Sequence, residues 1–173
     1  MLFRSLTTVE AIELFLADGL DLVTGALGVP KPFPASHPVL VLVECADRRD
    51  PTDELAEVVG RLDGVADVAV ASEPGPRAAL WRLREGHSEA INTLGAPHKL
   101  DVTLPAAAMA HFLATVPEVI AEVDPTARAW LFGHAADGNI HVNITGVDAD
   151  DERTDEAVLR HVASLGEIGR AHV

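Results

Sequence analysis

The stretch GHAADGNIHVNI, residues 133–144, constrains this chain more than any other. An Asp-Gly step between alternating apolar residues is a strong short-range signal for a β-hairpin, because a two-residue type I′ turn needs positive φ at both central positions. With Asp137 and Gly138 as that turn, Ala136 faces Asn139, Ala135 faces Ile140 and His134 faces His141. Directly opposed residues of an antiparallel pair point to one face with β-carbons about 4.5–5.5 Å apart, close enough for two imidazoles to share a metal ion. Asn143, two residues beyond His141, lies on that face too. Two ordinary polar residues on a solvated face are the competing explanation; a register set by their own turn favours a metal or anionic-ligand site.

Upstream, MLFRSLTTVEAIELFLADGLDLV reads as an amphipathic helix capped by Thr7 or Thr8, with Leu6, Val9, Ile12, Leu16, Leu20 and Val23 near one face. Glu10, Glu13, Asp18 and Asp21 interrupt the apolar run and argue against a signal peptide. GVPKPFPASHP is an extended loop, and VLVLVEC, 39–45, has the continuous apolar character of a central strand. A helix opens near Pro51 and ends before Gly64, VADVAVAS (65–72) reads as a second strand, and a helix spans about Gly75 to Leu94. HKLDVTLP (98–105) alternates as a third strand, and the next helix is kinked or interrupted at Pro117. The hairpin follows, and DERTDEAVLRHVASLG closes as a helix whose leading acids suit the helix dipole. Strands alternating with helices, one adjacent pair being antiparallel, predict an α+β domain: a mainly antiparallel sheet with helices packed on one face, built from ferredoxin-like units.

A chain of 173 residues, 48% hydrophobic, suffices for one well-buried domain. A net charge of −14 argues against binding nucleic acid or an anionic membrane surface, so an acidic ligand would need locally placed cations. Cys45 is the single cysteine, which excludes a disulfide framework and a thiolate metal centre and fits a cytoplasmic location. No apolar run of bilayer-spanning length and no dinucleotide or P-loop fingerprint is found.

Candidate cations gather in LWRLREGHSEAINTLGAPHKLDVTLP. Arg84 and Ser88 are four apart and share a helix face, and Lys99 follows on a strand where Asp101 has the same parity. Arg84 can hold a carboxylate through its planar fork and Lys99 adds a compact charge. Singly, Arg84 is also explained by pairing with Glu85 or Glu89, and Lys99 by a solvated strand position. Trp81 reads as core, Asp137 as a turn residue, and His87, His98 and His111 as surface or internally satisfied histidines.

LWRLRE, KLDVTLP and GHAADGNIHVNI, in that order and spacing, resemble motifs of the C-terminal domain of FAD-linked oxidases of the D-lactate dehydrogenase, glycolate oxidase and D-2-hydroxyglutarate dehydrogenase type. The resemblance covers residues 1–166. It implies that His134 and His141 bind a divalent metal, typically zinc, and that Arg84, Ser88, Lys99 and Asn143 bind a small 2-hydroxy acid whose C2 hydride passes to FAD. Ala136 stands where the family pattern has a glycine. The resemblance further implies an FAD-binding domain, in cis or as a separate subunit, and peripheral membrane association is compatible with the full-length protein. A Glu-His motif follows the last helix in the family, its Glu a further metal ligand and its His the base. Here EIGRAHV, 167–173, instead resembles the translation of a common sequencing adapter and reads as a non-native tail, so Glu167 and His172 are not counted as that pair. The expectation is a clipped domain with no catalytic base and little activity alone. The alternatives are a noncatalytic α+β module that binds a small carboxylate or metal, and a structural domain without a site.

Overall fold

The computed structural model describes residues 8–166; the expected non-native tail and the candidate N-cap Thr7 lie outside them. Ten elements follow in chain order: β1 (Val9–Leu16), α1 (Ala17–Leu27), β2 (Val39–Cys45), α2 (Thr52–Val59), α3 (Pro74–Asn92), β3 (His98–Thr103), α4 (Ala106–Val123), β4 (Arg128–His134), β5 (Asn139–Thr145) and α5 (Arg153–Ser164). The strands form one five-stranded sheet in the order β2-β1-β4-β5-β3, each neighbouring pair antiparallel. This is the expected α+β architecture. A split β-α-β unit appears once, with β5 lying between β3 and β4, whereas β1 and β2 pair directly.

Helices cover both faces of the sheet rather than one. Alternate residues of β4 assign the faces: Leu131 packs with Phe112, Val116 and Ile120 of α4 and Val158 and Val162 of α5, while Trp130 and Phe132 pack with Leu20 of α1 and Leu83 and Ile91 of α3. Double coverage explains the first departure from expectation, since Val9–Leu16 is a strand and only the second half of the expected helix is helical. In β1, Leu14 joins one core and Phe15 the other, and a strand buried on both sides lacks the period-two pattern that would separate it from a helix.

VLVLVEC is a strand, but it forms an edge. Leu40 packs into the α1/α3 core, while Val39 and Val41 on the opposite face remain 47% and 55% exposed, beyond the cover of α4 and α5. VADVAVAS does not become a strand; it runs without regular structure, tethered by His37 Nε2 to Asp67 at 2.7 Å. Alternating apolar residues make a strand only when a partner edge accepts them. Trp81 lies at the margin of the core, its indole N–H donating to Glu44.

α4 runs as one helix through Pro117. It is the described helix long and apolar enough to cross a membrane by length and composition, a run that the sequence reading did not find. Phe112, Val116 and Ile120, spaced by four, bury one stripe of it against the sheet.

Candidate functional site

The hairpin joins β4 to β5 through Ala135–Gly138 and its register differs from the expected one: His134 faces Asn139, and Phe132 faces His141. The reason lies in Asp137, which does not adopt the positive φ of a type I′ turn; only Gly138 does, at 71°. Gly138 has a second constraint, because an added β-carbon would collide with the carbonyl of Leu104, the residue that follows β3 alongside the turn. The shift is two residues, an even number, so both histidines stay on one face as diagonal neighbours with ring centroids 5.3 Å apart.

Each imidazole has its own carboxylate, delivered by the strand on its outer side. Glu13 of β1 stands directly opposite His134, and its Oε1 accepts from Nδ1 at 2.7 Å. Asp101 of β3 stands opposite His141 and accepts from that Nδ1. Nε2 of both rings is thereby left available as a ligand, as where a carboxylate fixes the tautomer of a metal-binding histidine. The donor set suits a divalent ion such as zinc, although among the described residues no cluster of three or more His, Cys, Asp or Glu completes a coordination sphere.

α3 crosses the same sheet face and carries Arg84, which is 8% exposed, to Glu13, 5% exposed. Arg84 Nε donates to Glu13 Oε2 at 2.8 Å, and the guanidinium carbon sits 4.6 Å above the Phe132 ring. The pairing with Glu85 or Glu89 is therefore not the one made; Glu89 bonds Arg82 instead. Burial draws the Arg84 guanidinium below its ordinary range while Glu13 opposes that shift. Ser88 lies one turn further along α3, and Lys99 of β3 faces Asn143 of β5. Because α1 and α3 pack over the β2-β1-β4 side, the polar strip on β5 and β3 is left open beside α3. There Arg84, Ser88, Lys99, His134, His141 and Asn143, all six residues expected from the sequence, line one cavity of about 400 Å³ with Asp101 and Phe132.

Glu13 is the residue the sequence reading missed. Its signal was a carboxylate inside IELFL, since a charge within a buried run requires a partner. His87 was expected at the surface or satisfied, yet it is buried between Phe15 and Phe132, its Nδ1 bonded to the Arg84 carbonyl and its Nε2 without a partner among the described residues. His98 fits the satisfied reading, held by Asp155 and the Asp148 carbonyl, and His111 stands near His161 on the α4/α5 side, away from the cavity.

Comparison with known proteins gives a family match to "FAD linked oxidases, C-terminal domain" over residues 2–171. A D-2-hydroxyglutarate dehydrogenase of Xanthomonas citri is 32% identical over 167 residues, covering 94% of this chain and 35% of the relative. The mitochondrial D-2-hydroxyglutarate dehydrogenase of Arabidopsis thaliana is 29% identical over 149 residues, 83% of this chain and 26% of its own length. A mitochondrial protein of Schizosaccharomyces pombe, provisionally named a D-lactate dehydrogenase, is 28% identical over 178 residues, 90% of this chain and 34% of its own length. The chain thus spans about a quarter to a third of the length of these relatives. It belongs to the family of FAD-linked oxidase C-terminal domains.

Proposed function

From that membership we propose that this domain supplies the substrate- and metal-binding part of the active site of an FAD-dependent D-2-hydroxyacid dehydrogenase. The observation that carries the reading is a cavity in which two carboxylate-oriented imidazoles meet Arg84, Lys99 and Asn143. His134 and His141 would hold a divalent metal, with zinc the first candidate, through Nε2. When bound, such an ion would lower the pKa of a hydroxyl and neutralise a neighbouring carboxylate, and FAD on an FAD-binding domain would be the acceptor of the C2 hydride.

The chain's own residues bind and orient. Arg84 and Lys99 against Glu13 and Asp101 leave the cavity formally neutral when the imidazoles are uncharged, so an acid held there gains most where it reaches Lys99 and the outer guanidinium nitrogens of Arg84. Asn143, buried on β5 beside Lys99, adds an amide that can both donate and accept near the acid's hydroxyl. D-2-hydroxyglutarate is the first acid to test, because two relatives carry its name and the cavity offers two cations besides a metal.

Calorimetric titration of the full chain with zinc, then with D-2-hydroxyglutarate or D-lactate, tests the reading. Zinc affinity is expected to fall at least tenfold in His134→Asn and in His141→Asn, and acid affinity by about tenfold in Lys99→Met, the size of a lost charged hydrogen bond. Zinc binding that is absent in the wild type or unchanged in both histidine variants overturns the metal assignment. Acid binding that is equally tight with and without zinc favours a noncatalytic carboxylate-binding module.

A further inference from the structure

We infer that Glu13 is the positioning residue of this site, a single carboxylate that orients the proposed metal ligand His134 and the proposed acid-binding Arg84 together. The inference rests on the proposed roles of those two residues. Glu13 projects from β1, a central strand, and its two oxygens are divided: Oε1 takes the His134 Nδ1 proton at 2.7 Å, and Oε2 takes the Arg84 Nε proton at 2.8 Å. His134 and Arg84 come from β4 and α3, elements with no other side-chain hydrogen bond between them among the described residues.

The chemistry demands two acceptors at this point. With its Nδ1 proton held by Oε1, neutral His134 keeps a bare lone pair on Nε2, the ring nitrogen that Glu13 does not hold. With Nε held by Oε2, Arg84 is fixed in the plane that lies over Phe132, and its Nη groups, which make no hydrogen bond among the described residues, can take an acid. Glutamine has the same shape but one acceptor and one donor. If its oxygen serves Arg84, its amide N–H faces His134 Nδ1, which must then give up its proton to Nε2 and lose the lone pair that binds metal. If its oxygen serves His134, an N–H faces the N–H of Arg84. Either way one half of the site loses its orientation.

The test is Glu13→Gln in the full chain, with far-UV circular dichroism to verify folding. Zinc affinity is measured by chelator competition, and the imidazole tautomers by long-range nitrogen–proton NMR correlation. The expected result is a zinc affinity reduced about 10–100-fold, the usual effect of losing a carboxylate behind a histidine ligand, together with a His134 proton moved from Nδ1 to Nε2 or acid affinity lowered without zinc. His141, held by Asp101, should keep its Nδ1 proton in the same sample, a control that general loosening would not respect. The wild-type spectrum tests the inference without any variant: a His134 proton residing on Nε2 overturns it. So does a folded Glu13→Gln chain with zinc and acid affinities both unchanged. If His134→Asn and His141→Asn themselves leave zinc binding intact, the metal reading fails instead, and the tautomer measurement still decides the Glu13–His134 orientation.

Discussion

His87 is a titratable ring in a place where charge is costly. It is 1% exposed, wedged between Phe15 and Phe132 with centroids 5.1 and 5.0 Å away, and burial pushes its pKa down to about 4, with the nearby Arg84 charge acting in the same direction. Because the unfolded ring titrates near its ordinary 6.5, the unfolded chain binds more protons than the folded one between pH 6.5 and 4, and stability falls as pH falls through that window. The full linkage is of order 3 kcal/mol. Urea unfolding at pH 7.5 and at pH 4.5 should show this loss in the wild type and a smaller loss in His87→Leu, whose side chain does not titrate. Equal losses in the two proteins would mean that the ring titrates alike in the folded and unfolded chain. The ring also backs Phe132, on which Arg84 lies, so its packing reaches the cavity wall.

Among the elements, the α1–α3 contact governs how α3 presents Arg84 and Ser88. The two helices approach closely because glycine stands at both touching points. A β-carbon at Gly19 would come within 2.7 Å of His87 Nε2, and one at Gly86 within 2.8 Å of Leu27 Cδ1. Gly19→Ala should therefore push the helices apart and cost about 1–3 kcal/mol, as overpacking generally does. It should also weaken acid binding while leaving zinc affinity unchanged, since His134 and His141 sit on the sheet. Calorimetry beside a denaturation curve checks both outcomes, and an unchanged midpoint would refute the close packing. The same scale explains where local pattern misleads. β1 was hidden as a helix because Leu14 and Phe15 are buried in opposite cores, and VADVAVAS carries a strand's alternation without a strand's partner.

For the whole molecule, the proposed metal binding would be linked to folding. The two histidines belong to β4 and β5, with their carboxylates on β1 and β3, so the proposed ion draws on four of the five strands, and these come together only in the folded sheet. Zinc at a hundred times its dissociation constant should add about 2.7 kcal/mol of stability, roughly 5–10 °C in melting temperature for a chain of this size. Thermal denaturation with and without a chelator measures the shift, and the His134→Asn/His141→Asn pair should abolish it. A shift that persists in that double variant would place the ion elsewhere.

The hairpin and the common face of His134, His141 and Asn143 were legible from local pattern; Arg84, Ser88 and Lys99 joined them as substrate-binding residues only through the family resemblance of their motifs, and all six are among the residues that line the cavity. Strand parity repeats every two residues, and the actual register differed from the expected one by an even step, so the face was right although the opposed pair was not. The flank of an individual strand and the partner of an individual charge were decided only in three dimensions. Glu13 lies 71 residues from Arg84 and 121 from His134, and no periodicity within β1 connects them. Helices on both faces removed the alternation that would have marked β1 as a strand, and the limited reach of α4 and α5 left apolar β2 as an edge. Local sequence determines which residues can share a face; long-range packing determines which of them meet.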